Sequence, residues 1–427
     1  MSDSEREPGS RLRRVRFHEP VRNQISMRII DLDGLIDEDH PVRAVWEFAK
    51  AVDLGPLYEK IKAVPHGQGR TPADPRLLFA LWIWATLEAV GSARELSRLC
   101  TESSPYRWLC GGVSVNYHSL SDFRVEHREF LESLLIQCVA AMQHEGLVQM
   151  RELTLDGTKI RANAGASSFR RKTTLEELEQ QARQHVESLR EELENDPGKP
   201  TRRQKAARER AERERNERIS RALEHVEEAA KAKEKSKKDT ARASTTDPEA
   251  RVMKMADGGF RPAYNIQIVG DADTQCIVGA DVTNRGSDMG ELEPQINKVC
   301  AAFDITPESA LADSGYAKKD DIEVLSKKGI RPVVPPQKPK TNRRGDGDAH
   351  RNDSTEIARW RAAMASDEGK NLYRRRCLSE LINARLKNCG LGRILVRGRD
   401  KVQAVVLWFA LANNFQIALR LRAALAP

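Results

Sequence analysis

The stretch RELTLDGTKIRANA (151–164) decides the fold class. Its opening, RELTL, reads as a strand that runs straight into Asp156-Gly157, so a carboxylate is expected at the strand's end. Downstream, AYNIQIV (263–269) and CIVGADV (276–282) are β-rich runs separated by GDADTQ, a hairpin connection. Residues 288–302 read as a helix, 309–312 as a short strand, 320–328 as a short helix and 331–334 as another strand. Helices are expected at about 355–366, 371–388 and 401–424, after a basic loop, QKPKTNRRGDGDAHRND (337–353). The order is strand, long insertion, two strands, helix, strand, helix, strand, helices. That is an α/β fold with a mixed sheet flanked by helices.

The insertion, residues 171–240, differs from its surroundings. It holds 19 Lys or Arg, 17 Asp or Glu and no aromatic residue. Leu175, Leu178, Ala182, Val186, Leu189 and Leu193 step by three and four, close to a heptad seam. Asp196-Pro197-Gly198 breaks the helix, and a second arm carries Ala211, Ile219, Leu223, Val226 and Ala230 on one side. This predicts an antiparallel helical hairpin whose balanced charge suits a solvated, protein-contacting face more than a DNA groove.

Residues 29–148 read as all-helical. Asp74-Pro75 opens LLFALWIWATLEAV, and Ser92 is placed to cap ARELSRLC. PYRWLCGGVSVNYHS (105–119) reads as a turn, followed by a helix over about 119–142 capped by Ser119 or Ser121. A plain bundle fits this pattern, and so does a helix-turn-helix; in the latter His118, Ser119, Ser121 and Arg124 sit at the DNA-reading end. Residues 1–28, rich in Arg, read as a flexible basic arm, either solvated or touching phosphates.

Composition bounds the rest. At 427 residues the chain is long enough for two or three domains, and 39% hydrophobic content provides a sizeable core. A formal charge of +8, from 71 Lys plus Arg against 63 Asp plus Glu, permits a nucleic-acid partner without requiring one. Seven Cys residues with no C-x-x-C pair argue against a disulfide framework or a zinc site and suit a reducing cytoplasm. The apolar stretches 77–90 and 402–425 are respectively too short and too interrupted by polar residues to span a bilayer, so no membrane partner is expected. No glycine-rich nucleotide motif is present.

Three acids sit where such a fold exposes them. Asp156 and Asp313 (in ALADSGY) are placed at strand ends, and Glu380 lies in LYRRRCLSELINARLKN. Two Asp residues and one Glu supply hard oxygen ligands suited to two Mg²⁺ ions, which together clamp an in-line phosphoryl displacement. Asp271 and Asp273 read as hairpin-turn residues, and Asp288 with Glu291 as a capping box. Tyr373, Arg376, Glu380 and Lys387, on one continuous helix, fall within about 60° of one another. One helix face thus carries an aromatic, two cations and a carboxylate.

This Y-x2-R-x3-E-x6-K pattern resembles the signature of bacterial insertion-sequence transposases of the DDE class, of the insertion-sequence-4/5-like superfamily. LDGTKIRANA and ALADSGY resemble the two Asp motifs of that family, and DGGFRPAYNIQ (257–267) is similar to it as well. The resemblance spans about residues 25–425. It implies an RNase H-like catalytic domain (149–427) interrupted by the hairpin, preceded by a helical end-binding domain (29–148). It further implies binding of terminal inverted repeats, cleavage at the element ends, and joining of the freed 3′-hydroxyl to target DNA by metal-dependent transesterification. Asp156, Asp313 and Glu380 would be the catalytic and metal-holding residues, with Mg²⁺, or Mn²⁺ as substitute. Tyr373, Arg376 and Lys387 would contact DNA. The partners implied are double-stranded DNA, at element ends and target, and a second protomer on paired ends, in a bacterial cytoplasm at the nucleoid. An RNase H-like nuclease without strand transfer, or a non-catalytic DNA-binding protein, are the alternatives.

Overall fold

The computed structural model describes residues 31–61, 71–195, 202–231, 239–337 and 353–425. The basic arm, the Pro197-Gly198 turn and most of the basic loop at 337–353 lie outside them.

Among the described residues a 3-10 turn (Asp33–Leu35) and seven α-helices come first: α1 (Pro41–Ala51), α2 (Gly55–Tyr58), α3 (Pro75–Leu87), α4 (Ala93–Glu102), α5 (Ser104–Cys110), α6 (Tyr117–Glu126) and α7 (Arg128–His144). Asp74 caps α3 through Arg76 N, and Ser92 caps α4 through Glu95 N, as expected. Two expectations need correction. Residues 104–110 are not part of a turn but the helix α5, started by Pro105 in its first turn and ended by Gly111 at φ 54°. The expected helix over 119–142 is two helices, and its cap is Asn116, whose side chain accepts from Ser119 N, not Ser119 or Ser121.

Then follow β1 (Glu152–Arg161), β2 (Phe169–Arg170), α8 (Lys172–Asn195), α9 (Arg202–Lys231), β3 (Ala243–Ser244), β4 (Arg251–Lys254), β5 (Phe260–Asp271) and β6 (Ile277–Thr283). The chain ends with α10 (Leu292–Phe303), β7 (Ser309–Leu311), α11 (Lys319–Lys327), β8 (Arg331–Val333), α12 (Thr355–Ala365), α13 (Asp367–Arg374), α14 (Cys377–Asn388) and α15 (Arg399–Leu425). The result is a mixed α/β fold. The main sheet runs β4–β5–β1–β7–β8, with β6 also paired to β5. β5 is antiparallel to β1, β4 and β6, whereas β1, β7 and β8 are mutually parallel. β5 is buried along nearly its whole length, as a strand covered on both faces must be.

β1 does not stop at Asp156. It continues to Arg161 because β5 pairs with it throughout, while β7 stops at Leu311, opposite Thr154. The expected helix at 371–388 is likewise interrupted. Arg375, Arg376, Leu378 and Ser379 donate three residues back, tightening the path between α13 and α14. The cause is tertiary: Arg375 is drawn to Glu152 (2.5 Å) and to Asp273.

α8 and α9 form the hairpin. Leu175, Ala222, Val226, Ala241 and Ala243 make a small core of their own, separate from the main one. The main core is continuous from Val42 in α1 to Ile417 in α15. α15 is long and apolar enough to cross a bilayer by length and composition, yet 83% of its most apolar window is buried inside the fold. Its polar interruptions dock on β6: Asn414 accepts from Ile277 N (2.8 Å) and donates to Ile277 O (2.7 Å), and Gln403 donates to Ala280 O (2.8 Å).

Candidate active site

Two of the three singled-out acids come together on the sheet. Thr154 pairs with Leu311 in the parallel β1–β7 ladder. Two residues further on are Asp156, still within β1, and Asp313, just past the end of β7 in extended backbone, so side-chain alternation carries both carboxylates to one face, where each feels the other's charge. Asp156 is half-buried. Burial pushes its carboxyl above the usual range, the Arg376 guanidinium and a hydrogen bond from Asn383 oppose this, and the charge of Asp313 adds to the rise. Asp313 caps a single 3-10 turn, Ser314–Tyr316, its Oδ1 accepting from Gly315 N at 2.7 Å.

α14 closes this face. A side chain at Gly270 would collide with Ile382 Cδ1, so the bare backbone of β5 lets the helix approach. That contact brings Asn383 Nδ2 to 2.9 Å from Asp156 Oδ2 and Arg376 to 4.0 Å from Asp156 Oδ1. Arg376 also donates to Glu380 Oε1 at 2.5 Å and lies 5.9 Å from the Tyr373 ring centre. Tyr373 and Arg376 therefore reach the site, although the helical break takes them off the regular face expected for them. Glu380 remains 60% exposed and turned to Arg376. Lys387 is exposed in the last turn of α14.

Asn383 and Asp288 were not anticipated as site residues. Asn383 sits three residues after Glu380, one turn along the same helix. Asp288 does not make the expected capping box: α10 begins at Leu292, and the Asp288 side chain turns away from it. Its Oδ1 accepts from Asn265 Nδ2 (2.7 Å) and Gln267 Nε2 (2.8 Å) on β5. Gly157 has no room for a side chain because that carboxylate lies against it. A glycine in mid-strand was the one signal in the sequence that something approaches the backbone there.

The proposed DNA-reading residues divide. His118 and Ser121 are exposed at the start of α6 and Ser119 is half-buried there. Arg124 is 6% exposed; it donates to Gly91 O and lies 4.5 Å over the Trp82 ring. The reading of Arg124 as a base contact is thereby corrected: α6 turns it into the helical core, where its cation is held by a carbonyl and an indole.

Among the described residues, no three of His, Cys, Asp and Glu converge closely enough to hold a metal ion. The donor chemistry nonetheless fits a hard divalent cation. Asp156 and Asp313 offer carboxylate oxygens, and Asn383 Oδ1 is buried beside Asp156 without a partner. The Arg376 guanidinium now supplies the positive charge between Asp156 and Glu380.

Residues 228–415 match the family described as the Transposase DDE domain, a range that includes Asp288, Asp313, Glu380 and Asn383 and begins after Asp156. Residues 30–126, covering α1 to α6, match a second family, Transposase domain (DUF772). No curated protein and no solved structure matches the chain. Family members act on DNA and depend on a divalent metal, in keeping with the oxygen-rich, cation-neutralised site on β1 and β7. One transposase domain in its helical half and another from residue 228 on, over the sheet strands that follow α9, together indicate an insertion-sequence transposase of the DDE class.

Proposed function

We propose that this transposase binds the terminal inverted repeats of its element, cleaves at the element ends and joins the freed 3′-hydroxyl to target DNA by direct transesterification. The observation that carries this reading is the meeting of Asp156 and Asp313 on adjacent parallel strands beneath α14, in a chain of the DDE class. The strand order supports an RNase H-like reading: β1 is central, with antiparallel strands on one side and parallel strands on the other.

Asp156, Asp313 and Glu380 are the residues to hold Mg²⁺, two ions in this reading, with Mn²⁺ as substitute. Bound there, the ions would supply a Lewis acid for the phosphoryl oxygens and activation of the attacking hydroxyl. Asn383 keeps Asp156 oriented, and its buried Oδ1 is ready to accept a proton donor in the loaded site. Arg376 exchanges its carboxylate partners for a DNA phosphate, which releases Glu380 to the site. Lys387 neutralises a second phosphate, and Tyr373 lies against a strand near the cut. The helical half, residues 29–148, is the end-binding region, with His118, Ser119 and Ser121 at its presenting edge. Paired ends require two protomers.

The test uses end DNA taken from the sequence flanking the coding frame, labelled on each strand, with Mg²⁺. Asp156→Asn, Asp313→Asn and Glu380→Gln are each expected to abolish cleavage while leaving end binding within about threefold, because a lost metal ligand does not remove phosphate contacts. Near-normal cleavage by one variant removes that residue from the triad. Cleavage without any joining would make the protein a nuclease.

A further inference from the structure

Behind the catalytic face lies a second carboxylate. Asp156 and Gly157 point to opposite faces of β1, since side chains alternate along a strand. Asp288 occupies the face at Gly157, out of the loop before α10. Its Oδ1 is the common acceptor for the amides of Asn265 and Gln267, both fully buried on β5. The far side of Gln267 completes a relay. Its Oε1 accepts from the hydroxyl of Tyr316 at 2.5 Å, and Tyr316, also fully buried, ends the 3-10 turn that Asp313 caps. A side chain on Gly315, within that turn, would come to 2.8 Å from Asp313 Oδ1 and 3.9 Å from Asp288 Cβ. The relay therefore touches both catalytic strands: the β1 backbone next to Asp156, and the turn that carries Asp313.

The direction of every hydrogen bond in it follows from one charge. A carboxylate accepts only, so Gln267 must turn its amide nitrogen toward Asp288 and its oxygen toward Tyr316. Reversing that amide would face two oxygens and leave the phenol without an acceptor among fully buried groups, where an unpaired polar atom is costly.

We propose that Asp288 is a positioning residue for metal binding, which sets the spacing of Asp156 and Asp313 through Gln267 and Tyr316 and touches neither metal nor DNA. This rests on the reading of Asp156 and Asp313 as metal-holding residues, and the experiment separates the two.

Mn²⁺ is titrated into the full-length protein and its free fraction read by electron paramagnetic resonance, with a thermal melt of each variant in chelator. Asp288→Ala and Gln267→Glu each weaken Mn²⁺ binding by about 10- to 100-fold, the range for lost support behind a metal ligand. Asp288→Asn keeps an acceptor oxygen and stays within about threefold of wild type. The exchange Gln267→Glu with Asp288→Asn restores what Gln267→Glu loses. The carboxylate then stands on β5, where it accepts from Tyr316 and from the new amide nitrogen, which takes the place of the shared Oδ1 and gives its second N–H to the oxygen of Asn265, otherwise without a partner, once that amide turns over. A residue that merely fills space would show no such rescue. Wild-type affinity in Asp288→Ala or in Gln267→Glu overturns the proposal, as does failure of the exchange to restore binding. Loss in Asp288→Asn equal to that in Asp288→Ala overturns it too, since the charge itself would then act at the metal. If Asp288→Ala does not fold, Gln267→Glu and the exchange decide. Asp156→Asn is the control: wild-type Mn²⁺ affinity there defeats the metal-site reading, whatever the relay does.

Discussion

At Asp156, stability and chemistry pull in opposite directions. Burial holds its carboxyl above the ordinary range despite Arg376 and Asn383. A raised carboxyl favours the protonated form in the folded state, so the ionised form costs stability. That cost is fully present above the folded pKa, fades as pH falls through it and is gone below the unfolded value of about 3.9. Asp156→Asn, able to keep an oxygen toward Asn383, is therefore expected to melt higher than wild type at pH 7 in chelator. The difference shrinks as pH is lowered toward 4. Added Mn²⁺ reverses the order, because only the wild type gains a bound ion. Melting curves over pH 4–8 check this, and a pH-independent difference would defeat it. Arg124 makes the opposite case, a cation whose place is structural. Burial lowers its pKa to about 10, and its guanidinium is held by the Trp82 ring and the Gly91 carbonyl. Arg124→Ala is expected to cost about 2–4 kcal/mol of stability, by loss of the cation–π contact, the hydrogen bond and packing. Binding of different end sequences should fall in parallel, if at all; a selective change at one base pair, with unchanged stability, would return Arg124 to the reading surface.

The hairpin of α8 and α9 is the element best read from local sequence, because its seam depends on spacing alone. Leu175, Ala182, Ile219 and Val226 are buried and Leu178, Val186, Leu223 and Ala230 half-buried, as the three-and-four pattern requires, whereas Ala211 is exposed and the side chains of Leu189 and Leu193 lie outside the described residues. Its attachment was not legible. β2 and β3, two residues each, pair at its base, and Ser168 Oγ lies 2.7 Å from Ser244 Oγ. Because the two exits are already joined, replacing 172–240 by a short Gly-Ser bridge is expected to leave the main core intact, with its own Mn²⁺ affinity and a cooperative melt. Joining of paired ends should fall more than nicking of a single end. Failure of the deletion protein to fold would make the hairpin part of the core, and full joining would deny it an assembly role. The α13–α14 break and the Asp288 relay were hidden for the opposite reason. Nothing in Arg374-Arg375-Arg376 discourages a helix; the pull on Arg375 comes from Glu152 and Asp273, over 100 residues earlier in the chain. Asp288 and Glu291 have the spacing of a cap, and only the tertiary neighbours Asn265 and Gln267 claim the carboxylate instead. Local pattern located the acids; which of them come together depended on strand register, which composition does not encode.

At the scale of the molecule, α15 decides whether the helical half can stand by itself. Trp408, fully buried, packs 5.5 Å from Phe79 of α3 and 6.0 Å from Phe123 of α6, and its indole donates to Arg124 O at 3.0 Å. Phe415 lies 5.2 Å from Phe48 of α1. The same helix grips β6 through Asn414 and Gln403. One element from the end of the chain thus fills the centre of the first seven helices and holds the edge of the sheet. A fragment of residues 1–148 lacks that filling: Phe79, Phe123 and Phe48 would face water, and large aromatic contacts of this kind are worth about 3–5 kcal/mol each when truncated. The fragment is expected to be helical by circular dichroism but to melt without a cooperative transition. Adding a peptide of residues 397–427 should restore one. In the intact chain, Trp408→Ala should cost about 3–5 kcal/mol and loosen both halves together, seen as one transition at lower temperature. Two separated transitions, or a 1–148 fragment that melts cooperatively alone, would show that the halves fold independently. A single transition carries a functional consequence. End binding by the helices and spacing of Asp156 and Asp313 on the sheet would then share one stability, so a weakened α15 should lower DNA affinity and Mn²⁺ affinity at the same temperature.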